Sequence, residues 1–145
     1  MSAEFFMDTN VLVYTSDHGH PEKRALANEI VERAVSSRRG VISFQVVQEF
    51  LNVALTKFER PLSIDDASQY LEQVLDPLCA VFSSAHLYRR TLAIRERWRF
   101  SFYHSLIVAA ALESECETLY SEDLQHEQRV ESLTIVNPFL RASAS

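Results

Sequence analysis

The sequence is poor in glycine and proline and has no long apolar run, and each shortage narrows the class of protein. Only 2 of its 145 residues are glycine and 4 are proline, so we expect short loops between regular elements. No apolar run approaches the roughly 18 residues that span a bilayer, and the first residues lack the basic stretch of a signal peptide. We therefore expect one domain over residues 1–145, without membrane association and with a short polar tail from about residue 141.

Cysteine is also scarce. Cys79 and Cys116 are the only two cysteines, and they do not form a CxxC pair. We interpret both as free buried thiols in a reducing compartment, which predicts a cytoplasmic protein.

The charge balance argues weakly against a nucleic-acid partner, because the formal net charge is -6 and binders of nucleic acid are more often basic. The distribution of the basic residues complicates this reading. Arginines cluster at Arg89, Arg90, Arg95, Arg97 and Arg99. Arginine suits phosphate recognition, but such a cluster is also common on a solvated helix face, and the sequence leaves both readings open.

Short apolar runs alternate with stretches of helical spacing along the chain. Strands are predicted at Phe5–Met7, Val41–Ser43, Val81–Phe82, Thr118–Tyr120 and Leu133–Val136. Helices are predicted from Pro21 to a stop at Gly40, across Val47–Phe58, from a capping Ser63 to about Asp76, after a capping Ser84, and across the apolar stretch Ser105–Leu112. This alternation predicts an α/β fold with a parallel sheet.

Acidic residues follow two of these strands directly. Asp8 comes after the first strand, Asp123 after Thr118–Tyr120, and Glu49 lies near the start of a helix. In parallel sheets, functional groups gather beyond the carboxyl ends of the strands. Carboxylates there would suit a hard cation such as Mg²⁺, which acts on phosphodiesters.

Each of these residues also has a simpler explanation. Asp8 could be a turn aspartate, Glu49 a surface glutamate, and Asp123 the cap of the segment that follows. Asp8 also invites comparison with phosphatases that use an aspartate nucleophile. Those enzymes usually carry a second aspartate two residues later, where this chain has Asn10, so we favour that reading less.

Four motifs, taken in order, resemble the PIN-domain family and, within it, the VapC toxins of prokaryotic toxin–antitoxin pairs. They are Met7–Leu12, Ser43 with Gln48–Phe50, Ser101–Leu112 and Thr118–Leu124. The resemblance covers nearly the whole chain. It implies a three-layer α/β/α sandwich with a mainly parallel central sheet.

The resemblance also implies a function. Asp8, Glu49 and Asp123 would be the acidic metal-site residues of a ribonuclease that requires Mg²⁺ or Mn²⁺. The substrate would be single-stranded or structured RNA, and a cognate antitoxin would block the site. In this reading, Arg95 and Arg99 are candidate RNA contacts.

The resemblance further implies a homodimer. We expect its apolar surface around Leu62–Leu75, on a predicted helix that carries Tyr70, Leu71, Val74 and Leu75.

His104 departs from the family pattern, which has an aspartate after Phe102-Tyr103. We expect His104 to lie with Asp8, Glu49 and Asp123 at one edge of the sheet, as a fourth residue of the catalytic group. An imidazole removes a negative charge and offers nitrogen, which suits Mn²⁺, Zn²⁺ or Ni²⁺ better than Mg²⁺. Three outcomes stay open: an enzyme with an altered metal preference, a weakened natural relative, or an inactivating change. A catalytically weak PIN domain that binds RNA or an antitoxin is therefore the alternative function.

Overall fold

A six-stranded sheet forms the centre of the protein in a computed structural model that describes residues 3–140. The strands are β1 (Phe5–Met7), β2 (Gly40–Ser43), β3 (Cys79–Val81), β4 (Thr118–Tyr120), β5 (Arg129–Val130) and β6 (Leu133–Val136). Their spatial order is β3-β2-β1-β4-β6-β5, and every pairing is parallel except that of β5 with β6. The predicted parallel α/β sheet is confirmed.

Helices connect β1 to β2, β2 to β3 and β3 to β4, and they cover both faces of the sheet. They are α1 (Thr9–Tyr14), α2 (Pro21–Ser37), α3 (Phe44–Thr56), α4 (Ile64–Tyr70), a π-helical turn (Leu71–Leu75), α5 (Asp76–Leu78), α6 (Ala85–Trp98) and α7 (Phe102–Glu113). The chain steps outward from β1 to β2 and β3, and then returns to β4 on the other side of β1. Because crossover connections between parallel strands are right-handed, α1 to α5 cover one face and α6 and α7 the other. This is the three-layer sandwich.

The end of α2 corrects one prediction. The helix ends at Ser37, where Arg38 adopts the left-handed conformation at φ 61° and its N–H bonds to the carbonyl of Ala34. Gly40, expected to stop the helix, is instead the first residue of β2. A Cβ at Gly40 would lie 2.4 Å from the Cβ of Ala34 and 2.5 Å from the ring of Phe5, so the glycine permits close packing of α2 on the sheet.

The predicted serine caps are confirmed. Ser63 Oγ accepts a hydrogen bond from the N–H of Asp66 at 3.0 Å, and Ser84 Oγ accepts one from the N–H of Leu87 at 3.0 Å. The helical segment that Ser63 begins runs past the predicted end near residue 76, because a π-helical turn leads into α5.

The expected dimer surface around Leu62–Leu75 is smaller than the sequence indicated. Leu75 is fully buried, and Tyr70 and Val74 pack against the core. The large apolar side chains exposed on this segment are Ile64, at 71%, and Leu71, at 37%.

The most apolar helix lies inside the molecule. Every residue of α7 from Ser105 to Leu112 is buried, as predicted. Cys79 and Cys116 are both free thiols, the first half-buried and the second buried. Within residues 3–140, no helix is both long and apolar enough to cross a membrane. The polar tail expected from residue 141 lies outside the described residues.

Candidate metal centre

Asp8 stands at the carboxyl end of the central strand β1 and caps α1. Its Oδ1 accepts the N–H of Thr9 at 2.7 Å, and its Oδ2 accepts the hydroxyl of Ser121 at 2.7 Å. The residue is only 4% exposed. The strand and the cap therefore hold one carboxylate in a fixed position below the surface.

The surroundings of Asp8 disfavour its charge. Burial, with smaller contributions from the charges of Asp123 and Glu49, raises the pKa of Asp8 to about 6, although the hydrogen bonds from Ser121 and Thr9 act to lower it. A cation placed among these carboxylates would offset both effects.

His104 and Asp123 complete a compact donor group with Asp8. His104 lies in the first turn of α7, which Ser101 caps, and its Nε2 is 3.9 Å from Asp123 Oδ2. One ligand atom each from Asp8, His104 and Asp123 lie within 4.8 Å of one another. Asp123 is held by Asn10, whose Nδ2 donates to its Oδ2 at 3.1 Å.

His104 and Asp123 shift each other's proton affinity in opposite directions. The interaction with Asp123 raises the pKa of His104; partial burial opposes this, and the charges of Asp8, Asp123 and Glu49 add to it. The same interaction with His104 lowers the pKa of Asp123. The two groups therefore favour an imidazolium–carboxylate pair when no cation is bound.

Glu49 lies in the same cleft but outside the compact donor group. Its Oε1 accepts the hydroxyl of Thr9 at 2.6 Å, and its Oε2 is 3.5 Å from Gln45 Nε2. The sequence placed Glu49 beside Asp8 and Asp123 as a metal ligand. In the structure, the third member of the compact donor group with Asp8 and Asp123 is His104, not Glu49.

The four predicted residues converge on one cleft of about 540 Å³, which we call the acidic cleft. It is lined by Asp8, Glu49, His104 and Asp123, together with Gln45, Asn52, Lys57 and Tyr103 among others. Two carboxylates and an imidazole grouped this closely have the donor chemistry of a divalent-cation site.

Gln45 belongs to this cleft and was not among the predicted residues. It is 4% exposed, and its Nε2 donates to the carbonyl oxygen of Tyr103 at 3.2 Å. Its Oε1 accepts no hydrogen bond from any described residue. The available signal was its position one helical turn before Glu49, since residues four apart share a face.

A second polar network joins residues of α1 and α2 to Glu122, the neighbour of Asp123. The hydroxyl of Tyr14 donates to Glu122 Oε1 at 2.6 Å, and Lys23 Nζ lies 2.8 Å from Glu122 Oε2. The backbone N–H of Glu122 also bonds to Asn10 Oδ1 at 3.3 Å. Together these contacts tie α1 and α2 to the loop that carries Asp123.

The arginine cluster lies outside the acidic cleft. Arg90 is engaged by Glu113 at 3.0 Å, and Arg95 donates to the carbonyl oxygen of Phe100 at 2.6 Å. Arg99 caps the end of α6 in the left-handed conformation. Apart from His104, Lys57 is the basic residue among the described residues that line the cleft. The RNA contacts of Arg95 and Arg99 stay predictions.

Residues 5–131 match the PIN domain family. Among curated proteins, none matches the sequence significantly. Solved structures of similar fold include a toxin–antitoxin complex from Klebsiella pneumoniae, with a TM-score of 0.66 and 17% identity over 93% of this chain and 98% of that one. The structure of FitAcB from Neisseria gonorrhoeae has a TM-score of 0.61 and 17% sequence identity, over 94% of this chain and 99% of that one. VapC20 of Mycobacterium tuberculosis is a toxin that cleaves the sarcin–ricin loop. Its structure has a TM-score of 0.59 and 16% sequence identity, over 81% of this chain and 88% of that one. At these identities the likeness shows the fold.

Proposed function

Because the chain belongs to the PIN domain family, we propose that it is a divalent-metal-dependent endoribonuclease of the VapC toxin type. The observation that supports this proposal most is the grouping of ligand atoms from Asp8, His104 and Asp123 within 4.8 Å in one cleft. The metal would be Mg²⁺ or Mn²⁺, held by Asp8 and Asp123 with His104.

The reaction would be hydrolysis of an RNA phosphodiester, in which water attacks phosphorus and the bond to a ribose oxygen breaks. A bound divalent cation would supply Lewis acidity and stabilise charge on the phosphate oxygens. Glu49 would orient the attacking water and accept its proton at Oε2, because Oε1 already accepts the 2.6 Å hydrogen bond from Thr9. Thr9 and Gln45 would keep that carboxylate facing the cleft.

We propose a cognate antitoxin and a second copy of the chain as its protein partners, in the cytoplasm. Support for the antitoxin comes from the fold: similar structures include the complex from Klebsiella pneumoniae and VapBC2 of Rickettsia felis, which is bound to DNA from its promoter. An acidic cleft would suit a basic antitoxin side chain as an inhibitor.

The test is an RNA-cleavage assay across Mg²⁺, Mn²⁺ and Zn²⁺, with Asp8→Asn as the control for contaminating nuclease. We expect cleavage that EDTA abolishes and that Asp8→Asn lacks. Cleavage that survives both EDTA and Asp8→Asn would contradict the proposal.

A catalytically weak domain that binds RNA or an antitoxin is the second candidate. The His104–Asp123 pair supports it, because an imidazolium 3.9 Å from Asp123 Oδ2 places a positive charge where a cation would bind. RNA binding without cleavage at any metal concentration, together with cleavage by His104→Asp, would favour this candidate.

A further inference from the structure

We infer that His104 is itself a metal ligand, and that it makes the acidic cleft select Mn²⁺ and Zn²⁺ over Mg²⁺. The inference rests on the proposed function only in assuming that the cleft binds a divalent cation. It adds which cation, and which side chain of this chain decides the choice.

Geometry is the first step. A ring nitrogen of His104, a carboxylate oxygen of Asp8 and a carboxylate oxygen of Asp123 lie within 4.8 Å of one another. His104 lies in the first turn of α7, with its N–H bonded to the Ser101 cap at 3.1 Å, so its backbone is fixed. An ion that binds both carboxylates here therefore lies within reach of the imidazole.

Donor chemistry is the second step. Mg²⁺ prefers oxygen ligands and demands near-ideal octahedral geometry, whereas imidazole nitrogen suits transition metals and Zn²⁺. Two carboxylates and one imidazole form a mixed donor set. Replacing an oxygen donor with nitrogen weakens the site for Mg²⁺ more than for Mn²⁺ or Zn²⁺.

Charge is the third step. Neutral His104 leaves Asp8 and Asp123 as the charged members of the compact group, and their charges match those of one divalent ion. An aspartate at position 104 would add a third negative charge, which favours a hard cation electrostatically. The histidine removes that contribution and keeps a nitrogen donor.

An unsatisfied buried acceptor is independent support for a ligand in this cleft. Gln45 is 4% exposed, lines the cleft, and has an Oε1 without a hydrogen-bond donor among the described residues. Buried polar atoms are rarely left unpaired. Because this oxygen is almost inaccessible to solvent, the Gln45 amide must turn before a water molecule held on a cation in the cleft can donate to it.

The experiment measures binding to metal-free protein without RNA. Mn²⁺ is titrated by the loss of the free-ion electron paramagnetic resonance signal, and Mg²⁺ and Zn²⁺ are then added as competitors. We expect the wild-type chain to bind Mn²⁺ about tenfold more tightly than Mg²⁺, with Zn²⁺ tighter still. His104→Asp should reduce the Mn²⁺-to-Mg²⁺ preference by about tenfold.

His104→Gln removes the nitrogen donor and adds no charge, so it should lower Mn²⁺ and Zn²⁺ affinity without improving Mg²⁺ affinity. His86→Gln is the matched control, because His86 Nε2 lies 3.5 Å from the Glu113 carboxylate, outside the cleft. Its metal affinities should equal those of the wild type.

Two results would overturn the inference. One is a Mn²⁺-to-Mg²⁺ affinity ratio that His104→Gln leaves unchanged. The other is loss of Zn²⁺ binding in His86→Gln but not in His104→Gln. Neither depends on RNA cleavage. A chain that shows the expected metal preference but cuts no RNA would refute the proposed nuclease function and leave this inference standing.

Discussion

The hydroxyl of Thr9 donates a 2.6 Å hydrogen bond to Glu49 Oε1 and joins the first turn of α1 to α3 across the acidic cleft. This contact holds the carboxylate that we propose as the proton acceptor.

Thr9→Val should therefore impair catalysis more than stability. The valine keeps the shape of threonine but cannot donate, so Glu49 loses its fixed position, and misplacement of a catalytic group lowers rates by roughly tenfold to a hundredfold. Thr9→Ser keeps the hydroxyl and should retain most of the activity. Single-turnover cleavage and melting temperatures of both variants provide the comparison. Equal activity in the valine and serine variants would show that this hydrogen bond is dispensable.

Asp8→Asn should abolish cleavage and stabilise the metal-free protein. Burial raises the pKa of Asp8 to about 6 from 3.8. The ionised carboxylate therefore destabilises the native state at neutral pH, by up to about 3 kcal/mol. The asparagine variant avoids this penalty.

The gain should depend on pH in a defined direction. A raised carboxyl pKa means that the penalty is full above pH 6 and disappears as the pH falls towards 3.8. Urea denaturation of wild type and Asp8→Asn at several pH values, with EDTA present, measures the difference. A stability gain that is constant from pH 4 to pH 8 would contradict this account.

His104→Asp should lower the melting temperature of the metal-free protein and increase the stabilisation that Mg²⁺ provides. A third carboxylate in the compact group restores repulsion that the imidazole relieves, and Mg²⁺ binding to the native state offsets it. Thermal shifts with EDTA and with Mg²⁺ test both parts. The same variant should cleave RNA with Mg²⁺ better than the wild type does.

The stability difference between wild type and His104→Asp should narrow with rising pH. The carboxylates raise the pKa of His104, chiefly Asp123. The stabilisation by its charged form is complete below the unfolded value near 6.5 and is lost as the pH rises through the folded value. His104→Gln, which does not titrate, should show the same trend against wild type.

Arg95→Gln combined with Arg99→Gln should weaken RNA binding for every sequence and flatten its salt dependence, if these side chains contact phosphates. Lys57→Gln should also weaken RNA binding and should reduce its salt dependence by the equivalent of about one phosphate contact, because Lys57 lines the acidic cleft. Arg90→Gln is the control, since Arg90 is already engaged by Glu113 at 3.0 Å. A salt slope that the arginine double variant leaves unchanged would assign these residues to a solvated helix face.

Gly40→Ala should destabilise the fold by about 1 to 3 kcal/mol, the usual effect of overpacking a core. Its new methyl group would meet Ala34 Cβ at 2.4 Å and the Phe5 ring at 2.5 Å, so helix α2 must move away from the sheet. Gly19→Ala is the control, because its Cβ would meet only the flexible Asp17 side chain, at 3.2 Å. Chemical denaturation should separate the two variants clearly.

Periodicity in the sequence was sufficient for most of the fold. The strand at Phe5–Met7 and the buried helix residues Ser105–Leu112 appear where they were predicted, because continuous apolar runs allow few other arrangements. Strand β5 was missed: it has two residues, one exposed, and pairs with β6 through a tight turn. So short an element leaves no pattern to read.

Only part of the candidate site could be predicted from the sequence. Asp8 and Asp123 were found because each follows a strand of a parallel sheet, where the fold gathers functional groups. The roles of Gln45 and Thr9 depend on side-chain contacts between separate elements, which no local pattern encodes. The same limit applies to Glu49. Its place in the cleft was predicted, but its absence from the compact donor group depends on the hydrogen bonds that its two carboxylate oxygens make with Thr9 and Gln45.

Strand order in the sheet has a consequence for the timing of synthesis. Strand β4 pairs with β1, yet it is synthesised only after β2, β3 and all of the helices α1 to α7, and Asp123 follows it. Until residue 118 emerges, β1 has an unpaired edge, and the nascent chain lacks one of the three compact metal donors. A fragment that ends before residue 118 would therefore lack a complete compact donor group. The metal-dependent cleavage that we propose would therefore become available to the cell only after Asp123 has been synthesised.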